Sequence, residues 1–105
     1  MNHYKIAFSE NAVNGLLEIS DYIALDNPVR AGSFVKELTT SLRKTLSLFP
    51  YSGKVVEGLN FSEEIRIWSH GHYNSYYHVL DDKQIVEVLF VFNASRDIGS
   101  LITDL

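Results

Sequence analysis

The spacing of apolar residues changes along this chain, and each change marks an element. Tyr4-Lys5-Ile6-Ala7-Phe8 alternates and predicts a short strand. Ser9 stands where a helix N-cap belongs, and Glu10 falls in the electropositive first turn behind it. Val13, Leu16, Leu17, Ser20 and Ile23 then recur at helical spacing, with Ile19 and Tyr22 widening the stripe, which predicts a helix over 10–25. Gly15 weakens that helix by ~1 kcal/mol relative to alanine. Asp26-Asn27-Pro28 is a break in which Asn27 can cap and Pro28 suits the first helical position. Ala31, Phe34, Val35, Leu38, Leu42, Leu46 and Phe49 form the cleanest amphipathic stripe, opposite Lys36, Glu37, Arg43 and Lys44, and Pro50 ends it. So short a connection between two amphipathic helices implies an antiparallel hairpin.

After the hairpin the period falls to two. Residues 51–62, with Gly53 and Gly58, read as a loop. Strands are expected at 64–70, 73–80 and 84–92, with turns at Gly71 and at Asp81-Asp82-Lys83. The last strand is apolar on both faces, so it belongs inside the sheet and is covered on both sides. Residues 93–105 suggest a loop with a short helix. The order strand, two helices, three strands is an α+β arrangement, β-α-α-β-β-β. In it the helical hairpin packs on one face of a mainly antiparallel four-stranded sheet. With 105 residues and no linker or repeat, residues 1–105 are expected to form a single domain.

Composition narrows the function classes. There are no cysteines, so disulfides and thiolate metal sites are excluded, and a reducing cytoplasm is the expected compartment. No signal peptide and no apolar stretch of ~20 residues is present, so no membrane span is expected. The net charge is −4. Gripping nucleic acid over a broad surface needs a basic excess to neutralise phosphates, so a protein partner with a basic face fits at least as well.

Several clusters invite a chemical reading. His70, His72 and His78, with Glu63 and Glu64 near them, contain metal-ligand types. An antiparallel hairpin pairs residue 70 with one near 73 and not with 78, so no metal site is expected. Trp68, Tyr73, Tyr76 and Tyr77 are read first as strand formers and core, with base stacking as the alternative. Arg66, which alternates with Trp68 and His70 on one strand face, and Arg96, just past the last strand, would clamp a phosphate or carboxylate if they converged. No nucleophile elbow, P-loop, dinucleotide fingerprint or HExxH pattern occurs, and no cofactor is expected.

Seven segments in order carry a further signal: Ile6-Ala7-Phe8-Ser9-Glu10-Asn11-Ala12, Leu17-Glu18-Ile19-Ser20-Asp21-Tyr22-Ile23-Ala24, Asn27-Pro28 with Ala31 and Phe34-Val35, Leu48-Phe49-Pro50-Tyr51-Ser52-Gly53, Ile65-Arg66, His72-Tyr73 through Tyr77, and Val88-Leu89-Phe90-Val91 with Ser95-Arg96-Asp97. Together they resemble the RelE/ParE superfamily of toxin–antitoxin toxins over nearly the whole chain. The resemblance implies one of two activities. RelE-like members cleave messenger RNA in the ribosome, and ParE-like members poison DNA gyrase. It also implies neutralisation by a ParD-like antitoxin in a hetero-oligomer, in which DNA is touched only by the antitoxin. Because antitoxin tails usually cover the helical hairpin and the sheet, Tyr22, Phe34, Leu38 and Trp68 are the antitoxin-binding candidates.

The departures from the pattern bear on which activity to expect. RNA cleavage needs groups that activate the 2′-oxygen, stabilise the phosphorane and protonate the leaving oxygen. In RelE-like enzymes an arginine stands where this chain has Asn74, and a C-terminal tyrosine stands where it has Ile102. Arg66 and Arg96 match the remaining two roles. The Ser95-Arg96-Asp97 ending and the helix signatures resemble ParE and its plasmid-stabilisation relatives more closely, although many of those carry arginine at the place of Asn74 and histidine at that of Asn93. The expectation is a ParE-like gyrase inhibitor acting by protein–protein contact, with Arg66, Asn74 and Arg96 as candidate target-binding residues and no assigned catalytic residue. The alternatives are a ribosome-dependent endoribonuclease, in which a histidine serves as acid or base, and a non-toxic binding module.

Overall fold

A computed structural model describes residues 3–58 and 62–96. The elements run β1 (Lys5–Phe8), α1 (Glu10–Ala24), α2 (Pro28–Leu48), β2 (Lys54–Val55), β3 (Arg66–His70), β4 (Tyr73–Leu80), a single 3-10 turn (Asp81–Lys83) and β5 (Ile85–Asn93). The expected class and element order hold. Among the described residues the sheet has five strands rather than four, ordered β1-β5-β4-β3-β2. β1 runs parallel to β5, and every other pairing is antiparallel. The extra strand, β2, has only two residues, too short for a period to show in the sequence. Asp97 and Ile102 lie outside the described residues, as do residues 97–105 of the segment 93–105 in which a loop with a short helix is expected.

The hairpin covers one face. Ala12 and Ile19 of α1 and Leu42 and Leu46 of α2 pack against Tyr77 of β4 and Val86, Val88 and Val91 of β5. On the other face Ile65, Tyr76 and Phe90 form a smaller cluster with Val56, Ile67, Leu89 and Phe92 against it. β5 is therefore interior to the sheet and apolar on both sides, as its unbroken run of apolar residues implies.

Along β5 the inward parity changes from even, Val86 and Val88, to odd, Val91, and a bulge causes it. Tyr76 pairs with Phe90 and Tyr77 with Val88, which leaves Leu89 unpaired. Ser9 holds that irregularity. Its N–H donates to the Val88 carbonyl at 2.9 Å, and its hydroxyl donates to the Leu89 carbonyl at 2.7 Å. The same oxygen accepts from the Ala12 N–H at 3.1 Å, capping α1. Pairing of β1 stops at Phe8 opposite Val88, and α1 takes over the open edge of β5. There Gly15 lies so close that a Cβ would sit 2.4 Å from the Val91 carbonyl oxygen. The glycine that weakens the helix is the one that lets it cover the strand edge.

Candidate functional site

At the end of the sheet where β4 begins and β5 finishes, a short turn redirects the chain. The Asn93 side-chain oxygen accepts from the Ser95 N–H at 2.9 Å and from the Ser95 hydroxyl at 2.8 Å. The Arg96 N–H donates to the Asn93 carbonyl at 3.0 Å, and the Ala94 N–H donates to the His72 carbonyl at 2.7 Å. Asparagine suits this position because its short amide can bond the backbone two residues on. The turn brings Arg96 back over the sheet, with its guanidinium carbon 5.8 Å from the Phe92 ring centroid. Asn93 was not among the expected site residues. Its step from the apolar strand into Ala94-Ser95 was the available signal.

A cleft of about 410 Å³ opens beneath the turn, between α1 and the sheet. Gly15, Glu18, Ile19 and Tyr22 form the helix side, and Tyr73, Val91, Phe92, Asn93, Ser95 and Arg96 form the sheet side. A second cleft of about 260 Å³ shares Gly15, Glu18, Phe92 and Arg96 and extends to Asn11, Asn14 and Phe90. Glu18 and Arg96 thus place one carboxylate and one guanidinium among uncharged aromatic, aliphatic, amide and hydroxyl groups.

Of the candidate target-binding residues, the structure brings two together. Asn74 lies directly opposite Phe92 in the β4–β5 register, on the same sheet face, so the ring under Arg96 is also the cross-strand neighbour of Asn74. The Asn74 side-chain oxygen accepts from the Ser69 hydroxyl at 2.7 Å. Arg66 does not join them. It pairs with Tyr77 and so shares the hairpin face of the sheet, whereas Asn74 and Phe92 alternate to the other face. This register does not meet the condition for a two-arginine clamp, since Arg66 and the Arg96–Phe92 pair stand on opposite faces of the sheet.

The Arg66 guanidinium is engaged within the fold. It donates to the Gly53 carbonyl at 2.8 Å, the Tyr51 carbonyl at 3.0 Å and the Glu64 carboxylate at 2.8 Å, and it lies 5.1 Å from the Tyr51 ring centroid. Arg66 therefore fastens the turn that leaves α2 to the first residue of β3.

The remaining candidates divide between surface and core. Tyr22 is 69% exposed at the cleft. Phe34 is half-buried against Tyr73 and His70, with ring centroids 5.3 and 5.7 Å away, and Trp68 stacks on His70 at 5.8 Å. Leu38, by contrast, is 0% exposed. The expectation of a partner contact there is corrected, because the stripe that made Leu38 conspicuous is the one α2 turns inward. Tyr76 and Tyr77 are core residues, on opposite faces as strand alternation requires.

The histidines stand apart from the cleft. His70 lies in the aromatic stack on the hairpin face, and His72 is exposed at the β3–β4 turn. His78 is buried on the far face, with Nε2 2.7 Å from Glu87 and Nδ1 2.9 Å from Glu63. None lines either cleft around Arg96. Among the described residues, no group of three or more His, Asp or Glu side chains is placed to hold a metal ion, and His78 turns its two ring nitrogens to different carboxylates.

This architecture matches known proteins. The model of the ParE toxin of type II toxin–antitoxin systems, parDE, matches residues 6–98. The chain belongs to the ParE toxin family. No curated protein matches it by sequence. Among solved structures, this ParE-family chain is similar to one from the chromosomal ParDE system of P. aeruginosa, with a TM-score of 0.71 at 14% identity over 89% of this chain and 98% of that one. It is also similar to a chain of a RelBE toxin–antitoxin complex from Mycobacterium tuberculosis, with a TM-score of 0.66 at 21% identity over 90% of this chain and 97% of the other. The isolated E. coli RelE toxin follows, with a TM-score of 0.58 at 20% identity over 96% of each chain. At such identities the likeness is one of fold, and the ParE assignment rests on the family model.

Proposed function

We propose that this ParE-family toxin inhibits DNA gyrase by protein–protein contact through the Arg96 cleft, and that a cognate ParD-like antitoxin keeps it inactive. The observation that carries the reading is the make-up of the cleft. It offers one guanidinium over Phe92, whose cross-strand neighbour is Asn74, and one carboxylate, Glu18, with aromatic and amide neighbours, and among the described residues its lining contains no histidine and no second cation. Phosphodiester cleavage asks for an acid, a base and charge stabilisation at the reacting phosphate. A protein contact asks for an arginine or aromatic anchor in a partly enclosed setting, which the cleft has. The negative net charge argues the same way, since a chain at −4 gains little from a phosphate backbone.

An antitoxin partner is supported by the family itself and by solved relatives that are toxin–antitoxin complexes. Tyr22, Phe34 and Trp68 offer it aromatic surface on the hairpin side. The toxin would act in the cytoplasm, where gyrase works. No helix among the described residues is long and apolar enough to cross a membrane.

Plasmid supercoiling by purified gyrase tests the proposal. Added toxin should block supercoiling or trap cleaved DNA, and the antitoxin should reverse the effect. No inhibition at micromolar excess would overturn the gyrase reading. Primer extension on mRNA from expressing cells distinguishes the endoribonuclease alternative, for which new cleavage sites would appear.

A further inference from the structure

The turn that carries Arg96 back over the sheet also fixes which way the Asn93 amide faces. The side-chain oxygen accepts from the Ser95 N–H at 2.9 Å and from the Ser95 hydroxyl at 2.8 Å. A backbone N–H can only donate, so the atom that meets it must be the amide oxygen and not the nitrogen. Both lone pairs of that oxygen are taken. The amide nitrogen, Nδ2, is left with two N–H donors and no partner among the described residues. Asn93 lines the larger cleft beside Arg96.

Arg96 is a second donor without an acceptor. Arg30 and Arg66 end on carboxylates, Glu37 and Glu64. The Arg96 guanidinium lies over Phe92 at 5.8 Å and meets no carboxylate among the described residues. A cation–π contact uses the charge of a guanidinium but none of its N–H hydrogen bonds. Both donors thus share a cleft of about 410 Å³ to which the buried Ile19 and Val91 give an apolar lining. Ligand pockets commonly measure ~300–1,000 Å³.

Glu18 lines the same cleft and limits how much negative charge an occupant can bring. One carboxylate can reach Asn93 and Arg96 from the sheet side. A phosphodiester chain, charged at every nucleotide, would set further phosphates against Glu18 in a chain already at −4.

We propose that Arg96 and Asn93 form a carboxylate clamp, and that the cleft takes from a protein target one Asp or Glu side chain standing beside an apolar residue. The guanidinium meets the carboxylate through its N–H fork, and Asn93 Nδ2 adds a further donor. The apolar neighbour packs on Ile19 and Val91. Asn93 then has two tasks, shaping the turn through its oxygen and holding the target through its nitrogen. The clamp rests on the reading of this cleft as the protein-contact site, but not on gyrase being the target.

The test titrates the whole chain, isotopically labelled, with acetyl-Leu-Asp-Leu-amide and with its neutral isostere, acetyl-Leu-Asn-Leu-amide. The acidic peptide should shift the Asn93, Ser95 and Arg96 resonances and bind ~10-fold tighter than the isostere, the size of a hydrogen bond to a charged group. Arg96→Gln should erase that preference. Asn93→Asp should erase it too, since Asp keeps an oxygen for Ser95 and the turn but replaces the donor with an anion. Lys83→Ala, at the opposite end of the sheet, should leave binding unchanged. Thermal melts matching the wild type would show that the fold is kept. Equal binding of both peptides, binding by neither, shifts confined to another region, or an Asn93→Asp protein that keeps the preference would overturn the proposal. So would tighter binding of a uridine trinucleotide than of the acidic peptide. Gyrase inhibition is scored apart from this. Acid preference without inhibition would leave the clamp standing and the gyrase reading overturned, and inhibition without acid preference would do the reverse.

Discussion

The Tyr77 hydroxyl donates to the Pro50 carbonyl at 2.8 Å and accepts from the Gly53 N–H at 2.9 Å, tying the exit of α2 to the middle of the sheet. The Pro50-Tyr51-Ser52-Gly53 turn thus has a physical role. Tyr77 is fully buried, and a buried phenol needs partners, which this turn presents. Gly53 has no alternative, since a Cβ there would lie 2.4 Å from the phenol oxygen and 2.6 Å from the Ile67 carbonyl oxygen.

Removing the phenol oxygen tests this latch. Tyr77→Phe leaves the Gly53 N–H and the Pro50 carbonyl without their partner and should cost ~1–3 kcal/mol. Gly53→Ala should cost more, because backbone and phenol must both move. Urea unfolding monitored by far-UV circular dichroism reads both. A Tyr77→Phe protein as stable as the wild type would mean that the turn finds other partners.

Gly15 gives a test of sign. Helix propensity alone says that Gly15→Ala stabilises α1 by ~1 kcal/mol. The 2.4 Å approach to the Val91 carbonyl oxygen says the reverse, because backbone stands in the way. We expect a net loss of ~1–3 kcal/mol, as for other overpacked sites. A higher melting temperature for Gly15→Ala would show that α1 rides further from β5.

The hairpin, its caps and the succession of the longer strands along the chain were legible because each has a local signature. Ser9 and Asn27 sit at the caps expected of them, and both side chains accept the backbone N–H that a cap should. What was not legible depends on contacts between residues distant in the chain. The bulge at Leu89 hides inside Val88-Leu89-Phe90-Val91-Phe92, where every position is apolar and no period exists to be broken. β2 is too short to carry a pattern. Arg66 looked like a ligand-binding residue because two of its three partners, the carbonyls of Tyr51 and Gly53, are backbone groups that no residue type announces. Leu38 was singled out by the same stripe that buries it.

Alkaline pH should loosen the fold through two tyrosines. The hydrogen bond to Asp81 pushes the Tyr4 hydroxyl up to about 12 from its ordinary 10.0, and burial pushes the Tyr77 hydroxyl up as well. A group whose folded pKa is raised gives stability that is whole below the unfolded value and lost as pH climbs through the folded one. The loss should therefore begin near pH ~10, the ordinary tyrosine value, and be complete for Tyr4 above ~12. Tyr4→Phe should flatten the fall in melting temperature across that window, and an unchanged slope would remove Tyr4 from the account.

The two arginines that looked alike in the sequence should separate in experiment. Arg96 lies over Phe92 at the cleft, so Arg96→Ala should leave the melting temperature nearly unchanged, within the ~0.5 kcal/mol typical of surface sites. Under the proposed function it should abolish gyrase inhibition and restore growth of expressing cells. Arg66 instead holds the Tyr51 and Gly53 carbonyls and Glu64, so Arg66→Ala should cost ~1–3 kcal/mol of stability. Arg66→Lys should recover little, since one ammonium cannot reproduce the fork that spans two carbonyls and a carboxylate. Any loss of inhibition in the Arg66 variants should track their unfolded fraction and disappear at lower temperature. If Arg66→Ala were as stable as the wild type but inactive, Arg66 would contact the target directly, and the binding surface would extend to the hairpin face of the sheet.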